Sequence, residues 1–185
     1  MQKIKAVFLD RDGVINKFPG YRKYVTTWKT FRFLPRSKEA ITALAKAKFK
    51  IFVISNQAGV GKGIFSKSKL DLITKNMLTA IKKSGGKIDK VYYCIHRPEE
   101  NCVCRKPKAG TVRSIRGEYL LDIKKTFFIG DTVRDVKTAH AAGCKSIMVL
   151  SGREKISNRR NWQAQPDLVF KDLWEAANFI LSFHK

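Results

Sequence analysis

Five short apolar runs recur along the chain, separated by segments with a different pattern. They lie at 4–9, 51–54, 91–94, 126–129 and 146–150. Continuous apolar runs of this length, bounded by polar or glycine-containing positions, are typical of strands that are buried on both faces. We therefore predict five strands in one sheet.

The segments between these runs have the spacing of amphipathic helices. Residues 37–48 read SKEAITALAKAK, with apolar positions three and four apart, which predicts a helix capped by Ser37. Strands that alternate with helices predict an α/β fold, with a mostly parallel sheet covered by helices on both faces. The other predicted helices span 66–83, 109–119, 132–142 and 171–183.

Polar residues follow four of the predicted strands at the point where each strand ends. The carboxyl ends of parallel strands meet at one edge of the sheet, and ligands bind in the crevice outside that edge. We therefore expect these side chains to surround one crevice. They are, in chain order, Asp10 and Asp12, Ser55 and Asn56, Cys94 and His96, and Gly130 and Asp131.

Length and composition favour one globular domain spanning residues 1–185. Hydrophobic residues make up 44% of the chain and charged residues 29%, which is an ordinary balance for a folded protein. No apolar run reaches the roughly 18 residues of a membrane span, and the start MQKIKAVFLD leads directly into a strand without a signal peptide. We expect a cytoplasmic monomer with no membrane partner.

The charge of the chain is strongly positive, with 38 Lys and Arg against 15 Asp and Glu and a net charge of +23. Such a surface attracts nucleic acid, acidic membranes or phosphorylated substrates. The lysines are scattered among the predicted helices, and no nucleic-acid-binding motif accompanies them. A solvated basic surface is therefore the favoured interpretation, with nucleic acid as an alternative partner that is not favoured.

The stretch CIHRPEENCVC at 94–104 groups three of the four cysteines with a histidine. Thiolates and imidazoles are ligands suited to tetrahedral Zn²⁺, and clustered cysteines in a cytoplasmic protein bind metal more often than they form disulfides. The intervening RPEEN has little to bury, so we predict a zinc-binding loop that fixes the following Arg105 and Lys106. A disulfide or free thiols are the alternatives. The predicted ligands are Cys94, His96, Cys102 and Cys104.

Two carboxylates lie two residues apart in FLDRDGVIN, and a third follows another strand in FFIGDTVRD. One carboxylate can attack phosphorus while its neighbour transfers the proton that the leaving oxygen needs. Clustered acids repel each other unless a cation lies among them, and Asp10, Asp12 and Asp131 together suit Mg²⁺. A single aspartate after a strand is usually a turn or a helix cap, so the prediction depends on the combination.

Four motifs occur in the order found in one enzyme superfamily. They are DRDGV at 10–14, ISN at 54–56, CRKP around Lys106 and GDTVRD at 130–135. In this combination, from about residue 4 to 150, the sequence resembles the haloacid dehalogenase (HAD) superfamily of phosphatases. The resemblance implies a Rossmann-like fold and Mg²⁺-dependent hydrolysis of phosphomonoesters through an aspartyl-phosphate intermediate.

The resemblance also implies a role for each motif residue. Asp10 is expected to attack the phosphate, and Asp12 to protonate the leaving alcohol and then deprotonate water. Mg²⁺ is expected to bind Asp10, the Asp12 carbonyl and Asp131, with Asp135 supporting the site. The expected substrate and phosphate contacts are Ser55, Asn56, Arg105 and Lys106, although Asn56 could cap a turn and Arg105 could be a solvated charge.

The cysteine pattern inside this frame, CxHx₅CxCRKP, resembles the branch of heptose bisphosphate and histidinol-phosphate phosphatases, which lack a large cap domain. The resemblance implies a small phosphorylated metabolite as substrate, first of all a sugar bisphosphate. Lys62 and Thr132 depart from the arginine and lysine common in the heptose enzymes. Histidinol phosphate is an alternative substrate, and 3′-phosphorylated DNA is another because of the basic surface. A zinc-containing nucleic-acid-binding protein is a non-enzymatic alternative, but it would not need the clustered acids.

Overall fold

The computed structural model describes residues 4–183, so the two ends of the expected domain, 1–3 and 184–185, lie outside the described residues. Its centre is a six-stranded sheet in the order β3-β2-β1-β4-β5-β6. Every neighbouring pair is parallel. The strands are β1 (Ala6–Leu9), β2 (Lys50–Asn56), β3 (Lys90–Cys94), β4 (Phe127–Gly130), β5 (Lys145–Val149) and β6 (Leu168–Phe170).

Five helices connect and cover these strands, so the predicted α/β fold is confirmed. In the described part of the chain, none of them is long and apolar enough to cross a membrane. The helices are α1 (Ser37–Lys46), α2 (Lys67–Lys83), α3 (Gly110–Tyr119), α4 (Val133–Ala142) and α5 (Leu173–Phe183).

Alternate residues of the central strands contribute to two different cores. Val7 and Leu9 of β1 pack in the larger core, which also contains the apolar faces of α1, α2 and α5. Ala6 and Phe8 point to the opposite face, where the core includes residues of α3 and α4. Both faces of the sheet are therefore buried, which is the reason that its strands read as continuous apolar runs.

Two sequence predictions need correction. The sixth strand, Leu168–Phe170, was not predicted, because it has three residues and pairs only with β5 at the edge of the sheet. The predicted cap of α1 is wrong, since Ser37 is already helical and the capping position is Arg36 in a left-handed conformation. By contrast, α2 does begin after a serine cap, since Ser66 Oγ accepts from Lys69 N.

The segment between β1 and α1 crosses the carboxyl edge of the sheet. Among the described residues 10–36, its regular structure is the single 3-10 turn Trp28–Thr30. Trp28 stacks on Phe31, with 5.0 Å between ring centroids, and Phe33 packs edge-on against both. A small aromatic cluster, rather than an inserted cap domain, therefore holds this segment over the sheet.

Candidate active site

Asp10 lies directly after β1 at the centre of the sheet. Its backbone N–H donates to Ile129 O at 2.9 Å, which extends the pairing with β4 by one residue. Its Oδ1 accepts from Arg11 N at 2.7 Å, and its Oδ2 lies 2.9 Å from Lys106 Nζ. The carboxylate is therefore held at both oxygens and points to the edge where ligands bind in parallel sheets.

Lys106 forms the centre of a buried charge network. Its ammonium lies between Asp10 Oδ2 at 2.9 Å and Asp135 Oδ1 at 2.6 Å, and its side chain is only 3% exposed. Asp135 in turn accepts at Oδ2 from Thr132 N at 3.1 Å and from Thr132 Oγ1 at 2.6 Å. One cation thus links the end of β1 to the first turn of α4.

Burial and charge act in opposite directions on this pair. Burial is the largest influence on Asp10 and raises its pKa, the Lys106 ammonium lowers it and the charge of Asp135 raises it, and the net shift is upward. For Lys106, burial acts to lower the pKa, but the carboxylates of Asp10 and Asp135 raise it above its ordinary value. The lysine therefore stays charged at neutral pH and can attract a phosphate.

Asp131 is an almost fully buried acid without a cationic side chain in ion-pair contact among the described residues. Burial first, and then the charges of Asp10 and Asp135, raise its pKa well above the ordinary value. Its Oδ2 accepts from Arg153 N at 2.8 Å. One carboxylate oxygen from each of the three acids lies within 4.8 Å of the others. Their mutual repulsion and their hard oxygen donors fit a divalent cation such as Mg²⁺.

Two glycines permit the chain to approach Asp131 this closely. A Cβ added to Gly13 or to Gly152 would lie 2.1 Å from Asp131 Oδ2, and Gly13 also has a φ of +86°. Ser151 Oγ donates to Gly13 O at 2.8 Å and joins the two segments. The segments after β1 and β5 therefore enclose the acid from two sides.

Asp12 lies outside this acid cluster and is held by three other side chains. The buried guanidinium of Arg11 donates from Nε and Nη2 to Oδ1 at 3.1 and 3.0 Å, and from Nη2 to Oδ2 at 3.0 Å. Asn16 Nδ2 donates to Oδ1 at 2.8 Å, and Gln57 Nε2 donates to Oδ2 at 2.9 Å. Sequence reasoning did not identify these three residues, although the arginine between two acids was visible in DRDG.

Ser55 and Asn56 place the end of β2 next to Lys106. The Ser55 hydroxyl accepts from Gln57 Nε2 at 3.3 Å and also lowers the pKa of Asp10. Asn56 forms two hydrogen bonds with the backbone of Lys106. Asn56 Nδ2 donates to Lys106 O at 3.1 Å, and Lys106 N donates to Asn56 Oδ1 at 3.2 Å. Asn56 therefore fixes the segment that carries the lysine.

A cavity of about 140 Å³ brings most of the predicted residues together. Arg105 does not line it, and its Nη1 donates to His96 O at 3.4 Å, so a role in substrate binding stays a prediction. Lys62 is exposed and does not line the cavity either, whereas Thr132 does. The predicted residues that do line the cavity are Asp10, Asp12, Ser55, Asn56, Lys106 and Asp131.

The four predicted zinc ligands lie together beside this cavity. Cys102 Sγ is 3.5 Å from Cys94 Sγ and 3.4 Å from Cys104 Sγ, and His96 Nδ1 is 3.3 Å from Cys104 Sγ. Sulfurs about 2.3 Å from a tetrahedral Zn²⁺ are about 3.8 Å apart. None of the described cysteines forms a disulfide, so that alternative is not supported. The geometry and the soft donors fit zinc.

The thiols differ in their readiness to lose a proton. Burial opposes ionisation of Cys102, but hydrogen bonds from Cys104 and Cys94 lower its pKa to about 7. Burial raises the pKa of Cys94, and burial together with the neighbouring thiols raises that of Cys104 to about 12. One thiolate is thus available at neutral pH, and a bound cation would favour ionisation of the others.

Comparisons with known proteins agree with this arrangement. A family model described as HAD-hydrolase-like matches residues 103–176. The D-glycero-beta-D-manno-heptose-1,7-bisphosphate 7-phosphatase of Pseudomonas putida is 32% identical over 178 residues, which are 96% of this chain and 100% of that protein. The D-glycero-alpha-D-manno-heptose-1,7-bisphosphate 7-phosphatase of Campylobacter jejuni is 34% identical over 178 residues, 96% of each protein.

A solved structure is similar over the same extent. The D,D-heptose 1,7-bisphosphate phosphatase of Bordetella bronchiseptica, complexed with magnesium and phosphate, matches with a TM-score of 0.88 and 32% identity, covering 97% of this chain and 99% of that chain. The parallel sheet and the acid cluster after β1 and β4 thus define a HAD-like hydrolase. Over nearly its whole described length, the chain belongs to the family of D-glycero-D-manno-heptose 1,7-bisphosphate 7-phosphatases.

Proposed function

We propose that this protein hydrolyses the 7-phosphate of D-glycero-D-manno-heptose 1,7-bisphosphate through an aspartyl phosphate on Asp10. The single observation that carries the chemistry is the buried Asp10–Lys106 pair at the carboxyl end of β1, 2.9 Å apart. It places a nucleophilic carboxylate beside a cation that attracts the phosphoryl group. The names of the relatives support the choice of sugar.

In the first step, a carboxylate oxygen of Asp10 bonds to phosphorus as the bond from phosphorus to the sugar oxygen breaks. Lys106 and the Ser55 hydroxyl hold the phosphoryl oxygens while negative charge is redistributed among them. Asp12 gives its proton to the departing sugar hydroxyl. The side chains that bind Asp12 fix its carboxyl group at the edge of the cavity, and proton transfer requires such a group within hydrogen-bond reach of the leaving oxygen.

In the second step, water attacks phosphorus and the bond to Asp10 breaks, which restores the carboxylate and releases phosphate. Asp12, which has lost its proton in the first step, now accepts one from the water. The same group therefore serves as acid and then as base. In the structure, Arg11 and Gln57 both donate hydrogen bonds to Oδ2 of Asp12, which fixes the position of this carboxyl group.

Asp10 and Asp131, with the carbonyl of Asp12, would hold Mg²⁺, and Asp135 lies close enough to orient its water ligands. A bound divalent cation neutralises the phosphoryl oxygens and permits an anionic substrate to approach three acids. Among the chain's own residues, Lys106 supplies a positive charge in contact with Asp10 and Asp135.

The cysteine loop, residues 94–104, is proposed to bind structural Zn²⁺ and to position Lys106. Cys104 lies two residues before the lysine, and its carbonyl accepts from Thr111 Oγ1 at 3.1 Å. Arg97 Nε donates to Gly61 O at 2.6 Å and ties the loop to the segment after β2. A cation joining four donors would therefore fix both ends of the loop relative to the cavity.

The test is kcat/KM with Mg²⁺ for D-glycero-D-manno-heptose 1,7-bisphosphate, histidinol phosphate and a 3′-phosphorylated oligonucleotide. We expect a clear preference for the heptose, and a loss of roughly 10³-fold or more in Asp10→Asn. Asp71→Asn is the matched control, because Asp71 is an exposed acid on α2 paired with Lys67. A better rate with either other substrate, or an active Asp10→Asn, would overturn the proposal.

A further inference from the structure

A second cavity adjoins the catalytic one. Its volume is about 610 Å³, against about 140 Å³ for the cavity that contains Asp10. Thr132, Arg134 and Arg153 line both cavities, so the two are contiguous at these side chains. The second cavity lies between the first turns of α4 and the segment 153–163, and its far wall includes Trp162.

The two volumes suggest a division of the substrate between the cavities. Pockets that enclose a small ligand usually measure about 300–1,000 Å³, so the catalytic cavity is small for a whole sugar phosphate. Its volume is sufficient for a phosphoryl group, which would lie among its acids and Lys106. The rest of the substrate must extend outward, and the larger cavity is the contiguous space of sufficient size.

The larger cavity is positively charged. Its lining includes Arg134, Lys137 and Arg153, against the single acid Glu154. Among the described residues, neither arginine forms an ion pair, whereas Lys106 in the catalytic cavity forms two. Lys137 Nζ donates to Gln163 Oε1 at 2.9 Å across the cavity wall. Two guanidinium groups are therefore free to bind an anion where the cavities meet.

The position of Arg153 is fixed relative to the reacting centre. Its backbone N–H donates to Asp131 Oδ2 at 2.8 Å, and the next residue, Glu154, donates from N to Asp131 O at 3.1 Å. Its guanidinium lies over the ring of Tyr21, 4.9 Å from the ring centroid. A phosphate bound by Arg153 would therefore lie at a defined distance from the phosphoryl site. This distance would determine which of the two phosphates of a bisphosphate lies at Asp10.

We propose that the larger cavity binds the second, non-reacting phosphate of a sugar bisphosphate, with Arg134 and Arg153 as its specificity-determining contacts. This inference rests on the proposed function, since it assigns a place to the phosphate that is not hydrolysed. The planar guanidinium matches two phosphate oxygens at once, and such charge-assisted pairs are strong. Thr132 cannot take this role as readily, because its hydroxyl already donates to Asp135.

The experiment measures kcat and KM for three substrates with Arg134→Gln, Arg153→Gln and the wild type. The substrates are heptose 1,7-bisphosphate, heptose 7-phosphate and p-nitrophenyl phosphate, of which only the first has a second phosphate. For the bisphosphate, each variant is expected to raise KM by roughly 10- to 100-fold. For the other two substrates, kcat/KM is expected to change by less than about 3-fold, because no second anion is bound.

Arg160→Gln is the matched control, because Arg160 is an exposed arginine of the same segment that lines neither cavity. Equal losses for all three substrates in the arginine variants, or an equal loss in the control, would overturn the inference. If the wild type prefers the bisphosphate and both variants keep that preference, the second-phosphate inference is wrong while the proposed function stands. If the wild type does not hydrolyse the heptose bisphosphate but Asp10→Asn still abolishes p-nitrophenyl phosphate turnover, the proposed substrate fails and the chemistry stands.

Discussion

The catalytic cavity and the cysteine loop hold their polar groups in different ways. In the cavity, a buried lysine neutralises two of the three clustered acids. Asp10 and Asp131 directly follow the paired strands β1 and β4, which fix their positions. In the loop, three thiols and an imidazole lie together, none of them in an ion pair among residues 4–183, and residues 96–101 are exposed. The cavity is therefore largely organised by the chain itself, whereas the loop, on the zinc proposal above, would depend on a bound cation.

The two proposed metal sites would therefore have different functions. An ion among Asp10, Asp131 and Asp135 would act on chemistry, because the fold already positions these acids. An ion at the cysteines would act on structure, because a short polar loop buries too little to hold one conformation. Removal of an ion from the acids should thus lower activity, whereas removal of an ion from the cysteines should change the structure of the loop. The following variants test this difference.

The largest effect is expected from Lys106→Met. The variant leaves Asp10 and Asp135 buried without their cation, and breaking a buried pair costs roughly 3–5 kcal/mol of unfolding free energy. We also expect kcat/KM to fall by roughly 10³-fold, because a phosphoryl contact is lost. Urea unfolding with and without Mg²⁺ measures the first effect. Lys67→Met on the exposed surface of α2 is the control, and an unchanged unfolding free energy in Lys106→Met would show that the network is not structural.

The next largest effect is expected from Cys104→Ser. Loss of one ligand should reduce zinc from about one ion per chain to well below that, as measured by elemental analysis of unchelated protein. The displaced loop should lower kcat by roughly 10- to 100-fold, while the cooperative unfolding of the sheet persists. Cys144→Ala is the matched control, because Cys144 is a buried cysteine outside the cluster. Full zinc content in Cys104→Ser would refute the four-ligand site.

A smaller effect is expected from Gln57→Leu, which keeps the side-chain volume but removes the donor to Asp12 Oδ2. A misplaced acid-base group should lower kcat by roughly 10-fold and leave KM nearly unchanged. Gln165→Leu, at an exposed position away from the cavity, is the control. If KM rose while kcat stayed constant, Gln57 would act on substrate binding and not on Asp12.

The smallest effect concerns the pH dependence of Mg²⁺ stabilisation. Because burial and then Asp10 and Asp135 raise the pKa of Asp131, the metal-free folded protein keeps a proton that the unfolded chain loses near pH 4. Its contribution to stability is therefore complete below about pH 4 and is lost as the pH rises through the raised pKa. Mg²⁺ replaces that proton, so the increase in Tm on adding Mg²⁺ should grow over this range. Asp131→Asn should weaken the trend, because Asp10, whose pKa is also raised, still contributes to it; a Mg²⁺ effect that is constant with pH would contradict it.

Much of the fold was predictable from the sequence because the strands are buried on both faces. The apolar runs located five of the six strands, and periodic spacing located all five described helices. The sixth strand, Leu168–Phe170, was missed because an edge strand of three half-buried residues has almost no apolar signal. Ser37 was misassigned as a cap because a serine before an apolar face is a local pattern, and the backbone at Arg36 overrides it.

The candidate site was predictable for residues in motifs and not for those that act through tertiary contacts. Asp10 and Lys106 were expected near each other, and the structure places them in contact. The arrangement around Asp12 was not predictable, since Gln57 reaches it from another strand, 45 positions along the chain. Arg153 was also missed, because its role depends on a second cavity that no local pattern indicates.

The most direct test of the central claim is to trap the phosphoryl group on Asp10. In Asp12→Asn with p-nitrophenyl phosphate, the first step needs no acid because the leaving group is good, whereas the second step lacks its base. After acid quenching, mass spectrometry of peptides should show close to one phosphoryl group per active chain, located on Asp10. Phosphate release without a covalent intermediate, or a phosphoryl group on a different residue, would contradict the account.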